Sequence, residues 1–202
     1  MPRPPALAIP LVFVLACAPA AAPLAPVPPG SGKSLYYFPT RVGTKWVYDK
    51  TFGGAPWEGY AKVITESEEK NGRYLVTVKT TSVDFVDTDA TTIGRFEVSR
   101  DGFFKVAEGL ESEETRLEFD PPRCYLKLPH RVGEKWGANP RDGELPWVAG
   151  EVETVKVPAG TFEAIRVDCG KNSFWYAPGV GCIKGRRGDT RFEMKSFTLP
   201  KD

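Results

Sequence analysis

The chain has 202 residues, of which 41% are hydrophobic and 26% are charged, as in an ordinary globular protein with one domain or two small ones. Its 27 Lys and Arg residues nearly balance its 26 Asp and Glu residues. This balance argues against a nucleic-acid-binding protein, which needs a basic face to displace counterions from phosphates. The only dense basic run, KGRRG at 184–188, is short and is interpreted as a solvated turn.

The N-terminus has the pattern of a secretory signal. Arg3 precedes an apolar run from Ala6 to Ala16, which is too short to span a bilayer as a helix, since about 20 residues are needed. The sequence Val14-Leu15-Ala16-Cys17 resembles a lipobox, the motif that is cut before a cysteine carrying a diacylglycerol thioether. We therefore expect residues 1–16 to be removed and Cys17 to be the site of lipid attachment. The alternative is cleavage after an Ala-x-Ala triplet, which would give a plainly secreted protein.

Residues 17–33 are predicted to form a lipid-anchored tether. The segment 18–33 is rich in Ala and Pro, and proline blocks both helix and strand pairing. Such a segment would hold a folded domain away from the membrane. The residue after Cys17 is Ala18 rather than Asp, which in many Gram-negative bacteria permits passage to the outer membrane. We therefore expect the chain to be exported and anchored in the cell envelope, at the outer membrane and facing the periplasm.

From Ser34 onward, apolar residues recur with a period of two, which predicts strands. Asn71-Gly72, Asp101-Gly102 and Pro178-Gly179 are turn signals between them. The best candidate for a short helix, AEGLESEE at 107–114, is equally compatible with a loop. The predicted fold is all-β and built from antiparallel meanders. The predicted strands are TKWVYDKT, GYAKVITES, RYLVTVKTTS, GRFEVSR, TRLEFD, CYLKL, GEVETVKV, TFEAIRVDC, SFWYA and TRFEMKSFTL.

An internal repeat divides residues 34–202. FPTRVGTKW at 38–46 recurs as LPHRVGEKW at 128–136, and Pro-Trp at 56–57 recurs as Pro-Trp at 146–147. The proline suits a strand entrance, the glycine suits a tight turn, and the tryptophan begins a strand with a core ring. The phrase is therefore interpreted as a folding element rather than a ligand site. We predict two tandem related halves, about 34–110 and 115–202, that form a curved sheet, an open barrel or a sandwich.

These features together resemble a broad group of bacterial envelope lipoproteins with a duplicated β-meander domain. The resemblance rests on the lipobox, the Pro-x-x-x-Gly-x-x-Trp strand opener, VPAGTFEAIRV at 157–167 and WYAPGVG at 175–181, and it covers most of 38–185. It implies a fold and no particular activity. A more distant fold analogy links the chain to half-barrels of the LolA and LolB type, which carry lipidated proteins in an apolar cavity. Those proteins use helices as a plug, which this sequence scarcely offers.

The sequence shows no recognisable catalytic or metal-binding constellation. The single histidine, His130, corresponds to Thr40 in the first copy of the repeat, and nothing near it resembles a nucleophile elbow. Asp84, Asp87 and Asp89 could suggest an oxygen-ligand metal site, but the run lacks the glycine and distal Glu of a calcium loop. We expect a protein that is not an enzyme and that uses no cofactor or metal.

Three cysteines follow Cys17, namely Cys124, Cys169 and Cys182, and an exported domain favours a disulfide among them. Cys169 and Cys182 are closest in sequence. If a strand lies between theirs, however, they are too far apart to bond directly. Pairing of Cys124 with either of the others is equally open, so the sequence predicts a possible disulfide without its connectivity.

Aromatic residues are the remaining candidates for a ligand surface. Trp57 and Trp147 are placed in Pro-Trp loops, and Trp175 lies in Phe174-Trp175-Tyr176, whose neighbouring rings point to opposite faces of a strand. Core packing explains most such rings. The alternative is a groove for an apolar or glycan ligand.

The sequence therefore predicts a non-enzymatic lipoprotein that acts as a binding or scaffolding module displayed from a membrane surface. Its expected partners are the membrane, through Cys17, and an envelope protein or a small apolar ligand, with no nucleic acid. The alternative is a carrier with a cavity between curved β-sheets for an apolar or lipid ligand. A hydrolase is the least favoured reading, and it would show convergent carboxylates in a cleft.

Overall fold

The computed structural model describes residues 36–82, 91–112, 116–137 and 145–201. The signal-like segment, the tether with Cys17, and Asp84, Asp87 and Asp89 lie outside these ranges. Within them the chain forms twelve strands and no helix. The strands are β1 (Lys45–Phe52), β2 (Ala55–Lys70), β3 (Arg73–Ser82), β4 (Thr92–Ser99), β5 (Gly102–Leu110), β6 (Leu117–Lys127), β7 (Lys135–Trp136), β8 (Trp147–Val157), β9 (Gly160–Cys169), β10 (Asn172–Ala177), β11 (Gly181–Arg187) and β12 (Thr190–Thr198). No helix in the described part of the chain has the length and apolar character needed to cross a bilayer.

All twelve strands belong to one antiparallel sheet, in the order β6-β5-β4-β3-β2-β1-β12-β11-β10-β9-β8-β7. Neighbours in the sheet are neighbours in the chain, except at the centre, where β1 pairs with β12. The two edge strands, β6 and β7, are consecutive in the chain, so the sheet curls into a nearly closed, barrel-like shape. The prediction of an all-β, mainly antiparallel fold is confirmed, and the sheet takes the form of an open barrel rather than a sandwich.

The open seam between β6 and β7 is bridged by side chains. The indole Nε1 of Trp136 on β7 donates a hydrogen bond to the carbonyl oxygen of Cys124 on β6, at 3.0 Å. The Lys127 ammonium lies 2.7 Å from the Glu134 carboxylate beside this seam. These contacts hold together two edges that share no ladder in the described residues.

The repeated nine-residue phrase has the same backbone role in both places. The amide of Gly43 donates to the carbonyl of Ile64 at 2.8 Å, and the amide of Gly133 donates to that of Ala149 at 2.7 Å. Both glycines have positive φ angles, 86° and 80°, which L-residues with a Cβ rarely adopt. Each copy therefore turns the chain into a first strand and ties it to the second. The duplication of the halves stays a prediction.

Several segments extend further than the alternation of residues predicted. The candidate helix at 107–114 is wrong in its first part, because β5 continues to Leu110. The predicted strands TRLEFD and CYLKL contribute 117–120 and 124–127 to a single strand, β6. The basic run at 184–188 is mostly strand, since Lys184–Arg187 ends β11 and only Gly188 lies in the turn. In each case hydrogen bonding to a neighbouring strand extends the strand into residues whose local composition does not predict it.

Gly102 is expected to be the least tolerant glycine of the hairpin turns. It has φ 143°, and a Cβ there would lie 2.0 Å from the carbonyl oxygen of Leu126. We expect Gly102→Ala to lower the free energy of unfolding by roughly 3 kcal/mol, through backbone strain and overpacking of ~1–3 kcal/mol each. Gly188 has φ 57° with no atom near its Cβ position, so Gly188→Ala should cost only about 1–2 kcal/mol. If urea denaturation showed the same loss of unfolding free energy for both variants, the predicted clash between the Cβ at position 102 and the Leu126 carbonyl would be contradicted.

Candidate ligand cavity

The curled sheet encloses a cavity of about 1040 Å³, at the upper end of the ~300–1,000 Å³ typical of small-molecule sites. Ten of its lining side chains are aromatic. These are Phe38, Trp46, Tyr48, Tyr60, Phe96, Phe103, Tyr125, Phe174, Tyr176 and Phe192. The aliphatic lining residues are Val78, Ile93, Leu110 and Leu117. The interior is therefore mainly a hydrocarbon surface.

Strand alternation places these rings on the inner face. Tyr48 on β1 lies directly opposite Tyr60 on β2 in the ladder, and their rings stack with centroids 4.7 Å apart. Phe192 on β12 meets the Tyr48 ring edge-on at 5.7 Å. Such ring pairs fix one another's orientation, so this wall of the cavity is preformed.

One end of the cavity is closed by Phe38, which precedes β1. Phe38 is buried and stacks on Phe103 of β5, with ring centroids 4.3 Å apart. Gly181 permits this position, because a Cβ there would lie 2.9 Å from the Phe38 ring. The indole of Trp46 packs against Phe38 and donates a hydrogen bond to the carbonyl of Val180 at 2.7 Å. The first copy of the repeated phrase thus forms the floor of the cavity.

Within the part of the chain that the structure describes, the opposite end of the cavity is open. Because successive strands run in opposite directions, the β1–β2, β5–β6 and β11–β12 connections lie at the same end of the sheet. Leu110 and Leu117, beside the β5–β6 connection, line the cavity and are 36% and 59% exposed. Arg187, at the end of β11, is exposed and also lines it. A ligand therefore has an entrance flanked by apolar side chains and a guanidinium.

Cations project into this aromatic interior. Lys62 on β2 is half-buried, and its Nζ lies 5.6 Å and 5.5 Å from the ring centroids of Tyr48 and Tyr60. Loss of solvent lowers the pKa of Lys62. Lys105 on β5 contacts the carboxylate of Glu108. Burial, helped by repulsion from nearby cations, lowers the pKa of Lys105 to about 8.

The hydroxyl and thiol groups of the interior are held in their neutral forms. Burial raises the pKa values of Tyr48, Tyr60 and Tyr176. The Tyr48 hydroxyl donates to the carbonyl of Cys182 at 2.7 Å. Burial raises the pKa of the Cys182 thiol, which lines the cavity, to about 11, and that of the Cys124 thiol, which does not line it, to about 12. Because the thiolate is the reactive form of cysteine, both thiols are poor nucleophiles.

The lowered pKa of Lys105 predicts a pH-dependent stability. Its side chain is 15% exposed, and in the unfolded chain its pKa returns to about 10.4. Between pH 8 and 10 the unfolded state therefore binds more protons, and the stabilisation of the fold rises with pH. We expect the stability of wild type relative to Lys105→Met to increase by on the order of 1 kcal/mol across this window. Lys45→Met, on the exposed face of β1, is the control. If the free energy of unfolding changed with pH in the same way for all three proteins, the lowered pKa of Lys105 would be refuted.

Among the described residues, no three His, Cys, Asp or Glu side chains are grouped as metal ligands would be. Glu108 is the one carboxylate among the lining residues of the described ranges. His130 does not line the cavity; its Nε2 lies 2.8 Å from the carbonyl oxygen of Gly150.

The three tryptophans proposed from sequence as a ligand surface do not line the cavity. Trp57 lies within β2 rather than in a loop, is 54% exposed, and packs against Phe52 at 5.7 Å. Trp147 begins β8 and packs between the rings of Tyr125 and Phe174, at 5.4 Å and 5.5 Å.

Trp175 lies on the outer face of β10. Its indole donates to Glu153 at 2.9 Å, and its ring faces Arg166 and Lys184 at 5.6 Å and 5.8 Å. The predicted alternation along this strand holds, because the neighbouring rings of Phe174 and Tyr176 line the cavity.

The cysteines form no disulfide with one another in the described ranges. Cys124 and Cys182 are free thiols, and Cys169 Sγ donates to the carbonyl of Leu145 at 3.4 Å. As the strand argument predicted, β10 separates Cys169 on β9 from the β11 strand that carries Cys182. The possible disulfide is therefore absent from the structure.

Sequence reasoning missed the charged residues of the cavity. Lys62 lies between Tyr60 and Ile64 at a spacing of two, and Ile64 is fully buried. A lysine in register with inward-facing apolar residues was the available signal. Arg187 offers no such signal, because the basic run at 184–188 predicts a turn and not the end of a strand.

No family model matches the chain, and no curated protein matches its sequence. Two solved structures share its fold. One, from Bacteroides fragilis, is provisionally described as an exported protein with a YmcC-like fold; it is 13% identical, with a TM-score of 0.52, over 81% of this chain and 99% of that one. The other, from Parabacteroides distasonis, is provisionally described as a lipoprotein; it is 13% identical, with a TM-score of 0.56, over 83% of this chain and 100% of that one. At this identity the likeness concerns the fold alone.

Proposed function

We propose that the chain is an exported, lipid-anchored envelope protein whose curled sheet binds an apolar or amphipathic ligand. The observation that carries this proposal is the cavity of about 1040 Å³ with ten aromatic side chains in its lining. Cores are normally packed without voids of this size, and an apolar cavity with an open end is the usual form of a binding site.

The shape of the cavity supports a ligand that enters lengthwise. Phe38 closes the inner end, while Leu110 and Leu117 flank the outer end. Hydrocarbon gains about 0.8 kcal/mol for each CH₂ group removed from water. A chain of several CH₂ groups would therefore be held firmly against preformed rings.

The cellular location rests on the N-terminal pattern. Residues 1–16 resemble a signal and Cys17 resembles a lipidated cysteine. Of the two structures with a similar fold, one is described as an exported protein and the other as a lipoprotein, which supports the same location for this chain. We place the chain on the outer membrane, facing the periplasm, with no enzymatic activity.

A scaffolding module that binds an envelope protein is the second candidate. The exposed pair Phe52 and Trp57, 52% and 54% accessible, supports it, because contiguous exposed rings are typical of protein interfaces.

Native mass spectrometry of the full chain carrying Cys17→Ser, purified without detergent, tests ligand binding. We expect extra mass that organic solvent removes. Thr80→Trp should abolish it, because Thr80 lines the cavity, whereas Thr81→Trp on the exposed face of β3 should not. A mass equal to that of the polypeptide alone, both as purified and after exposure to envelope lipid extract, would refute ligand binding in the cavity. It would favour the scaffolding function.

A further inference from the structure

The charge of the cavity differs from that of the whole chain. The sequence as a whole is almost neutral, whereas the lining holds five basic side chains and one acidic side chain in the described ranges. The basic residues are Lys50, Lys62, Lys105, Arg116 and Arg187, and the acidic residue is Glu108. Positive charge is therefore concentrated where a ligand would sit.

Among the described residues, no acidic side chain neutralises Lys62. It lies opposite Trp46 in the β1–β2 ladder and over the rings of Tyr48 and Tyr60. No carboxylate of the described residues forms an ion pair with it. An ammonium removed from water is unfavourable unless it is paired, and ring faces compensate only partly.

Two further cations, Lys105 and Arg187, line the same cavity as Lys62. Lys105 reaches the same interior from β5, and Glu108 neutralises it in part. The Arg187 guanidinium lies 5.4 Å from the centroid of the Phe174 ring. Lys62 and Arg187 both contribute repulsion at Lys105, so an anion among the three would relieve it.

We propose that the ligand is an anionic amphiphile, whose acid group lies among Lys62, Lys105 and Arg187 and whose hydrocarbon chain lies against the aromatic lining. This inference rests on the proposed function and specifies its ligand. A carboxylate or a phosphate would serve equally, because ammonium and guanidinium groups bind both with charge-assisted hydrogen bonds.

The lining disfavours a glycan. Sugar recognition relies on carboxylate and amide side chains that pair with hydroxyl groups. The lining residues of the described ranges include no Asp, Asn or Gln, and the single Glu108 is bound to Lys105.

Calorimetric titration with three ligands of equal chain length provides the test. Dodecanoate, dodecyl phosphate and dodecan-1-ol are each titrated into the full chain carrying Cys17→Ser. We expect at least one anion to bind about tenfold or more tightly than the alcohol. Preference for dodecanoate would indicate a fatty acid, and preference for dodecyl phosphate a phosphate-bearing lipid; either supports the proposal.

Lys62→Met tests the position of the acid group, because it keeps the length of the side chain and removes the charge. We expect about tenfold weaker binding of the preferred anion and unchanged binding of dodecan-1-ol. Lys45→Met, on the outer face of β1, should change neither. The comparison of the three ligands uses the protein that retains Lys62. The proposal therefore stays testable if Lys62→Met fails to fold.

Two outcomes separate this inference from the proposed function. Equal binding of all three ligands, or unchanged anion binding in folded Lys62→Met, would overturn the anionic site and leave the apolar carrier standing. Binding of none of the three would overturn both.

Discussion

Replacing Trp46 with alanine is expected to lower the free energy of unfolding by about 3–5 kcal/mol, the range for removal of a large core ring. Trp46 is 1% exposed and is the largest fully buried side chain among the described residues. Its removal also leaves the Val180 carbonyl without the indole donor, and an unsatisfied buried acceptor is costly in itself. The floor of the cavity loses its support in the same step, because Phe38 packs on this indole at 5.2 Å.

Urea denaturation of wild type, Trp46→Ala and Trp57→Ala measures this effect. Trp57 is 54% exposed, so its replacement should cost no more than about 1 kcal/mol. A loss below ~1 kcal/mol for Trp46→Ala would show that the ring is not part of a packed core.

Cys17→Ser is expected to abolish lipid attachment completely. The lipobox peptidase cuts before a cysteine that has already received its thioether, and serine offers no thiol. Labelling with an alkyne fatty acid, followed by intact mass measurement, should show label on the wild type. The Cys17→Ser chain should carry no label and retain residues 1–16.

Cys124→Ser is the matched control, because Cys124 lies on β6 within the folded sheet. It should keep the label. Label persisting on the Cys17→Ser chain would place the acyl group elsewhere and remove the basis for the anchored tether.

The strands could be predicted where side-chain alternation and turn residues agree. RYLVTVKTTS coincides with β3, and Asn71 and Gly72 before it both take positive φ angles, 55° and 73°, as a tight two-residue hairpin requires. Prediction failed where local composition and pairing disagree. The acidic end of β5 has little strand propensity, yet its residues pair with β4 and β6.

The cavity could not be predicted, because it depends on register between strands. Sequence offset equates Trp147 with Trp57, but the ladders place Trp147 opposite Trp136 and Lys62 opposite Trp46. If the two halves are equated by their tryptophans Trp46 and Trp136, Lys62 rather than Trp57 takes the place of Trp147. The two hairpins differ in length by a few residues, so a fixed sequence offset pairs Trp147 with the exposed Trp57 and not with the inward-facing Lys62.

The central ladder has a consequence for how the chain folds. It joins Lys45 to Thr198, so it forms only after nearly all of the described chain has become available. Pairings this remote in sequence are slow, because the entropy of closing the loop is lost before any contact is gained. Until β12 arrives, β1 exposes a free edge that other chains can pair with. Aggregation during biogenesis should therefore compete with completion of the sheet at the free edge of β1.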